Sequence, residues 1–425
     1  MKTVVIGAGV IGCATAWELL RQGREVILLE QQDGPGLGTS YANGGQLSYD
    51  YVAPLADPGV FHDLPKWLLN PGSPLRFRPR PDPRQWCWLT AFLKACNTDT
   101  ARASTKALLQ LSYLSRDTLH AWLNETPIDF HYRRNGKLIA YRSPQLLEKA
   151  RRQVEYQAGH GSQQTILGRE ESIALEPALA NFGNALAGCV HTPGEEVGDC
   201  YRFTCELFDR IQAHPAATVR TQARVARLLT RGNHVAGAVL QNGEVIEAAQ
   251  FVAANGLQGH ELLKPHGERV PLYGLKGYSL SIPLPSGATS DDALNRAMAP
   301  TISLTDYERR IVYARLGDTL RIAAMVDMGD GSAAIRPDRV RQLKAEVRRS
   351  FPQLAVEQAQ AWAGERPATP DGRPIVGRSR KLENLWLNLG HGALGFTLAC
   401  GSAVLLHGLM SQGRSSIDAA PFQPR

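Results

Sequence analysis

The sequence predicts an α/β protein in which a buried parallel sheet is interleaved along the chain with an α+β part built on an antiparallel sheet. Three observations carry this. The chain opens on an apolar run, Val4-Val5-Ile6, that leads through Gly7-x-Gly9-x-x-Gly12 into an apolar helix and a second run, Glu25 to Leu29. A strand, a glycine turn and a helix return together near residue 390. Between the two lie alternating segments punctuated by Asn-Gly and other glycine turns, the mark of antiparallel strands.

Each element has a local cause. Val4, Val5 and Ile6 do not alternate with polar residues, as expected of a strand covered on both faces. Gly7 permits a tight turn, Gly9 lets the backbone approach a pyrophosphate, and Gly12 lets a helix running to about Gln22 pack close to the strand. The free N–H groups of that helix would receive phosphates. Glu30, eighteen positions after Gly12, can accept hydrogen bonds from ribose hydroxyls. Glycines alone are weak signals, but strand, glycines, helix, strand and acid together form a Rossmann-type dinucleotide fingerprint.

Residues 34–46 form a loop of glycine and small polar residues able to wrap a flat cofactor. Prolines crowd residues 53–83, which predicts an irregular segment. Around it cluster Trp67, Leu68, Leu69 and Trp88, and Trp86, Leu89, Phe92 and Leu93 recur at helical spacing. Core packing is the default reading of that face. An apolar patch beside Arg76, Arg78, Arg80 and Arg84 could instead seat on a membrane surface. Helices are expected over 100–123, 144–158 and 337–351, and hairpins over 129–141, turning at 134–137, and 235–248, turning at Asn242-Gly243. Strands are expected at 250–254, 276–282 and within 310–325. Near the end, strand 384–389, turn 390–395 and a helix over about 396–411 make a second glycine-to-helix site. Two such sites suit a cofactor longer than a nicotinamide fold requires, which favours FAD over NAD.

Composition narrows the function classes. With 425 residues, 43% hydrophobic and 20% charged, the chain can bury one large core or two intimately packed ones. Seven dispersed cysteines without a C-x-x-C pair predict neither a disulfide framework nor a zinc site. The net charge of +7 comes from short clusters with no interleaved aromatics, which argues against a nucleic-acid platform. A single Lys2 precedes the first strand, so no secretory leader is expected. The apolar stretch 396–410 is broken by Gly401, Ser402, His407 and Gly408, and reads as too short to cross a bilayer. A cytoplasmic protein, with a membrane surface as a further docking option, is the resulting expectation.

Several motifs together resemble a known family. They are Gly7-Ala8-Gly9-Val10-Ile11-Gly12, Thr39-Ser40-x-Ala42-Asn43-x-Gly45-Gln46, Leu275-Lys276-Gly277-Tyr278-Ser279, residues 364–372 around Arg366, and residues 390–395. The chain resembles the bacterial D-amino acid dehydrogenases of the D-amino acid oxidase and glycine oxidase superfamily over almost its whole length. The resemblance implies a glutathione-reductase-like FAD-binding domain (1–58, 145–262 and 358–425) and a substrate or cap domain (59–144 and 263–357). It implies oxidation of a D-amino acid to an imino acid, which water converts to a 2-oxo acid and ammonia. Electrons pass to a quinone or another respiratory acceptor, and contact with the inner membrane is peripheral. Gly7, Gly9, Gly12 and Glu30 match the ADP-binding residues, and Thr39, Ser40, Asn43 and Gln46 match the flavin-side loop. Val225 matches an adenine contact, and Gly390, Gly392, Leu394, Gly395 and Thr397 match the segment along the flavin ring. Arg366 matches the arginine that grips the substrate carboxylate, Tyr278 lies in the strand placed against the substrate, and His391 lies at the flavin edge. An oxidase or dehydrogenase of glycine, sarcosine or hydroxy-D-proline remains open, as does a non-catalytic flavin protein.

The chemistry suits these residue types. An arginine's planar fork binds a carboxylate through paired charge-assisted hydrogen bonds and fixes its orientation, which a lysine does not. Glu365, by strand alternation with Arg366, is expected to point outward into solvent. His391 reads as an acid–base group or a positioning residue, and Lys276 as a cation near the flavin or a residue on a strand end.

Overall fold

A computed structural model describes residues 1–61, 73–284, 298–332, 334–412 and 415–425. The six-stranded sheet runs Ile375–Arg378, Leu385–Leu389, Gln250–Ala253, Lys2–Ile6, Glu25–Leu29, Ala217–Arg220. Its pairs are parallel except the first, which is antiparallel. Alternate residues of the first strand feed two cores. Val5 packs with the helices Val10–Arg21, Thr98–Glu125, Cys200–Ala213 and Gly395–Gln412, while Val4 and Ile6 pack with the three-stranded sheet of Val225–Arg231, His234–Leu240 and Val245–Ile246. Helices on one face and a β-meander on the other is the expected glutathione-reductase-like arrangement.

A nine-stranded, mostly antiparallel sheet forms the second layer. Its order is Gln360–Ala368, Tyr273–Pro283, Thr319–Met328, Ile311–Leu316, Ser303–Asp306, Lys137–Tyr141, Gly188–Thr192, Thr165–Gly168, with Leu75–Phe77 pairing beside Thr319–Met328. Tyr278, Leu280 and Ile322 on its back face pack with Leu343 and Val347 of the helix Pro337–Ser350. The front face turns toward the six-stranded sheet.

Several expectations change. The hairpin over 129–141 does not form: Lys137–Tyr141 pairs with Gly188–Thr192 and Ser303–Asp306 instead. Its expected partner is diverted, because His131 has φ 55° and Phe130 and Arg133 bond the backbone at Val197 and Asp199. The chain division also differs from that expected. Strands Thr165–Gly168, Gly188–Thr192 and Gln360–Ala368 lie in the larger sheet, and helix Thr98–Glu125 packs in the core of the smaller one. In helix Pro83–Ala95 the buried stripe is Trp88, Phe92 and Ala95, whereas Trp86 is 44% exposed. Trp67, Leu68 and Leu69 lie outside the described residues.

The stretch Gly392–Ser411 is, at 20 residues, long and apolar enough to cross a membrane, contrary to the expectation. Its Leu398, Ala399, Cys400, Ala403, Leu405 and Leu406 are buried in the core with residues of helices Val10–Arg21 and Thr98–Glu125. Close packing fits its small residues: a Cβ on Gly401 would lie 2.6 Å from the Leu111 carbonyl oxygen.

Candidate active site

Between the two sheets lies a cavity of about 2220 Å³. One end is the first βαβ turn. Gly7 has φ 102°, a conformation glycine adopts without strain, and a Cβ on Gly12 would come 1.8 Å from the Gly7 carbonyl oxygen. Gly9, at the N-cap of the first helix, forms part of the cavity wall and offers no side-chain cap. Glu30 is 8% exposed; its carboxylate accepts from the Ala8 N–H at 2.6 Å and the Gln32 N–H at 2.9 Å. Val225 and Asn255 stand on the same wall, and the Asn255 Oδ1 is buried with no hydrogen-bond partner among the described residues. These features fit a dinucleotide: glycines that leave room beside a helix N-terminus, an acid at the strand end and an unspent polar atom.

The small-residue loop lines the middle of the cavity. Ser40 Oγ accepts from the Val10 N–H at 3.1 Å, Thr39 Oγ1 donates to the Glu365 carbonyl at 2.8 Å, and Asn43 Oδ1 accepts from the Gly45 N–H at 3.0 Å. Gln46 donates from Nε2 to Ser303 Oγ at 2.5 Å. Facing this loop are Gly390, Gly392, Leu394, Gly395 and Thr397; Thr397 Oγ1 accepts from the Ser48 N–H at 3.1 Å. Two segments 350 residues apart in sequence are thereby joined at the start of the last long helix, whose dipole favours negative charge.

At the other end stands Arg366. Its guanidinium lies over Gly277, where a Cβ would meet Nη2 at 2.3 Å, Cζ at 2.5 Å and Nη1 at 2.7 Å. Nη1 donates to the Met325 carbonyl at 3.1 Å, and no carboxylate among the described residues pairs with it. Burial pulls its pKa down to about 10, so it stays a cation at neutral pH. Met325 owes its position to a bulge: the register slips between Lys276 and Tyr278, and Met325 takes φ 67°. Bulges re-aim groups beside active sites in this way. Leu275 pairs with Arg366, and Leu275 and Ala368 belong to an apolar cluster with Ala56, Val60, Trp88 and Phe92.

Two of the expected catalytic residues have other roles here. Tyr278 borders the cavity, but strand alternation turns its side chain to the back face. Its hydroxyl donates to Asp327 at 3.2 Å, Asp327 lies 2.6 Å from Arg339, and burial and the Asp327 charge push the phenol's pKa up. His391 is 3% exposed, with Nε2 3.0 Å from Ser402 Oγ, and burial pulls its pKa down to about 3. It is a neutral anchor for the last helix rather than an acid or base at neutral pH. Lys276 lies on the back face too, 1% exposed and 2.5 Å from Asp330. Glu365 faces away from Arg366 as expected but is half-buried, and burial raises its pKa.

The sequence reading missed Lys137, Ser48 and the Met325 bulge. Lys137 stood in an expected turn, so its burial carried no signal. A left-handed Met within a strand has no sequence mark at all.

The match to a family model decides the assignment: the model described as FAD dependent oxidoreductase (DAO) covers residues 2–409. The chain belongs to this family of FAD-dependent oxidoreductases. FAD is its cofactor, and the fingerprint described above is where it would be held. Among curated proteins the chain is similar to D-amino acid dehydrogenase 2 of Ralstonia nicotianae, 46% identical with 99% of each chain covered. It is 47% identical to D-amino acid dehydrogenase 2 of Pseudomonas aeruginosa, over 100% of this chain and 98% of the relative. Among solved structures, glycine oxidase from Geobacillus kaustophilus superposes with TM-score 0.76 at 20% identity, covering 100% of this chain and 98% of that one. L-proline dehydrogenase from P. horikoshii gives 0.77 at 15% identity, covering 100% and 96%. At those identities the structural likeness speaks for the fold alone.

Proposed function

We propose that this oxidoreductase acts on D-amino acids, converting them to 2-oxo acids and ammonia, and passes the electrons to a quinone or another respiratory acceptor. The observation that carries the reading is the half-buried Arg366 guanidinium on the cavity wall, with a carbonyl partner and no carboxylate among the described residues. A partly desolvated cation in that state gains from a ligand anion that completes it. A substrate α-carboxylate does so through two charge-assisted hydrogen bonds, each worth about 1.5–3 kcal/mol. The 46–47% identical D-amino acid dehydrogenases support the substrate class.

Bound FAD supplies the hydride-accepting ring. The protein's residues do the rest. Gly7, Gly9, Gly12, Glu30 and Val225 would hold the dinucleotide half. Thr39, Ser40, Asn43 and Gln46, with Gly390, Gly392, Leu394, Gly395 and Thr397, would hold the ring end. Arg366 sets the substrate's orientation, and Leu275 and Met325 beside it keep water from the carboxylate and strengthen the pairing. Peripheral contact with the cytoplasmic face of the inner membrane fits the exposed Leu55, Phe61 and Trp86.

Arg366→Ala and Arg366→Lys test the reading. The expected result is a kcat/KM for D-amino acids down at least a hundredfold in both, with FAD content retained. Unchanged kinetics in either variant would remove the carboxylate clamp.

A further inference from the structure

One buried charge has no part in the function described so far. Lys137, the first residue of its strand, is 1% exposed yet lies on the cavity wall. Its ammonium donates to Gln46 Oε1 and to Ser48 Oγ, both at 2.8 Å, and stands 4.4 Å from the centre of the Tyr51 ring. No carboxylate among the described residues lies within ion-pair distance. The nearby charge is Glu195, also 1% exposed, whose Oε1 accepts from the Asp50 and Tyr51 N–H groups at 2.7 and 3.3 Å. Hydrogen bonding from Ser48 also favours its ionised form. Burial lowers the pKa of Lys137 and raises that of Glu195, and their mutual attraction opposes both shifts.

An ammonium so enclosed carries a desolvation cost of several kcal/mol, which packing alone would not require. Its two acceptors show what it controls. Gln46 begins, and Ser48 directly follows, a two-residue strand, Gln46–Leu47, on the cavity side. Lys137 fixes the Gln46 amide from one end while Ser303 fixes it from the other, so the side chain has one orientation. The same strand is tied to Thr397, through the Ser48 N–H at 3.1 Å and the Gln46 carbonyl at 3.4 Å. Lys137 thus sits behind the junction where the small-residue loop meets the first turn of the last long helix. Both the lysine and that helix end put positive field on the same wall.

We propose that Lys137 is a positioning residue for the cofactor: it locks Gln46 and Ser48 in the shape that binds FAD and biases the site toward the reduced, anionic form of the ring. Glu195 is the counter-charge that makes its burial tolerable. The inference rests on FAD occupying the cavity.

Lys137→Met keeps most of the volume and removes the charge and both hydrogen bonds, but it strands Glu195 as a lone buried acid. Lys137→Met/Glu195→Gln removes that penalty. The two are compared with wild type by FAD dissociation constant, by flavin midpoint potential and by melting temperature. The positioning role predicts that the double variant regains most of the melting temperature lost in the single one. Its FAD dissociation constant stays at least tenfold raised and its midpoint potential stays lowered. In turnover, kcat falls while KM for the D-amino acid, set by Arg366, holds. A double variant with wild-type affinity and potential would overturn the proposal and leave Lys137 a structural counter-ion. Ser48→Ala, which deletes one acceptor of the lysine and a hydrogen bond to Glu195 while keeping both charges, keeps the question decidable should both lysine variants fail to fold. It is expected to weaken FAD binding by threefold or more, and unchanged binding and potential overturn the proposal. Colourless wild-type protein would instead overturn the FAD reading itself, a result distinct from a yellow protein indifferent to Lys137.

Discussion

Gly277→Ala separates the orientation of Arg366 from its charge. Gly277 lies in extended strand with no left-handed φ, so the backbone accepts alanine, and losing glycine's freedom in the unfolded chain is mildly stabilising, by about 0.4–1 kcal/mol. The new Cβ would stand 2.3 Å from Arg366 Nη2, against an ordinary contact of 3.4–4 Å. The guanidinium, the far end of a flexible side chain, must therefore move by about 1 Å, the scale at which misplacement costs roughly a hundredfold in rate, or about 2.7 kcal/mol. The assay is steady-state turnover of a D-amino acid with an artificial electron acceptor, alongside FAD content and melting temperature. The expected variant is yellow, folded and at least as heat-stable as wild type, with kcat/KM lower by about a hundredfold. Full activity in such a protein would refute the placement of the guanidinium at the substrate.

Two further substitutions test residues that the structure moves out of the chemistry. Tyr278→Phe removes a hydroxyl that faces Asp327 on the back of the sheet, so kcat/KM should change less than threefold while stability falls by about 1 kcal/mol in denaturant titration; a hundredfold loss of kcat would return the tyrosine to the active site. His391 has its pKa lowered from 6.5 to about 3 by burial, so between those values the unfolded chain takes up the proton that the folded chain refuses. Its contribution to stability is complete above pH 6.5 and is lost as pH falls toward 3, on the order of 5 kcal/mol over the window. The melting-temperature advantage of wild type over His391→Gln should therefore shrink between pH 7 and pH 4.5, and a constant gap would contradict the neutral, buried assignment.

The parallel sheet and its glycine turn were legible because their causes are local. A run of Val and Ile, three glycines and an acid at a fixed distance describe one supersecondary unit. The hairpin at Asn242-Gly243 was legible for the same reason, and it forms, with Ala238 opposite Ile246. The larger sheet was not. Two of its pairings join residues over a hundred positions apart, Lys137 with Ser303 and Leu75 with Val326, and no turn signal encodes them. Tyr278 shows how a correct strand still misleads. Whether a residue faces the cavity depends on the register with the strand that carries Arg366, and a shift of one position exchanges the faces. The cavity glycines and Arg366 could be named from sequence, whereas the groups that orient them, Met325 and Lys137, come from a bulge and a long-range pairing.

Anaerobic mixing of the purified holoenzyme with D- and L-amino acids, glycine and cyclic imino acids, followed at the visible flavin bands, tests the central claim most directly. The expected result is bleaching by D-amino acids and not by their L enantiomers, with colour restored by a quinone faster than by oxygen. A flavin that D-amino acids leave fully oxidised would contradict it.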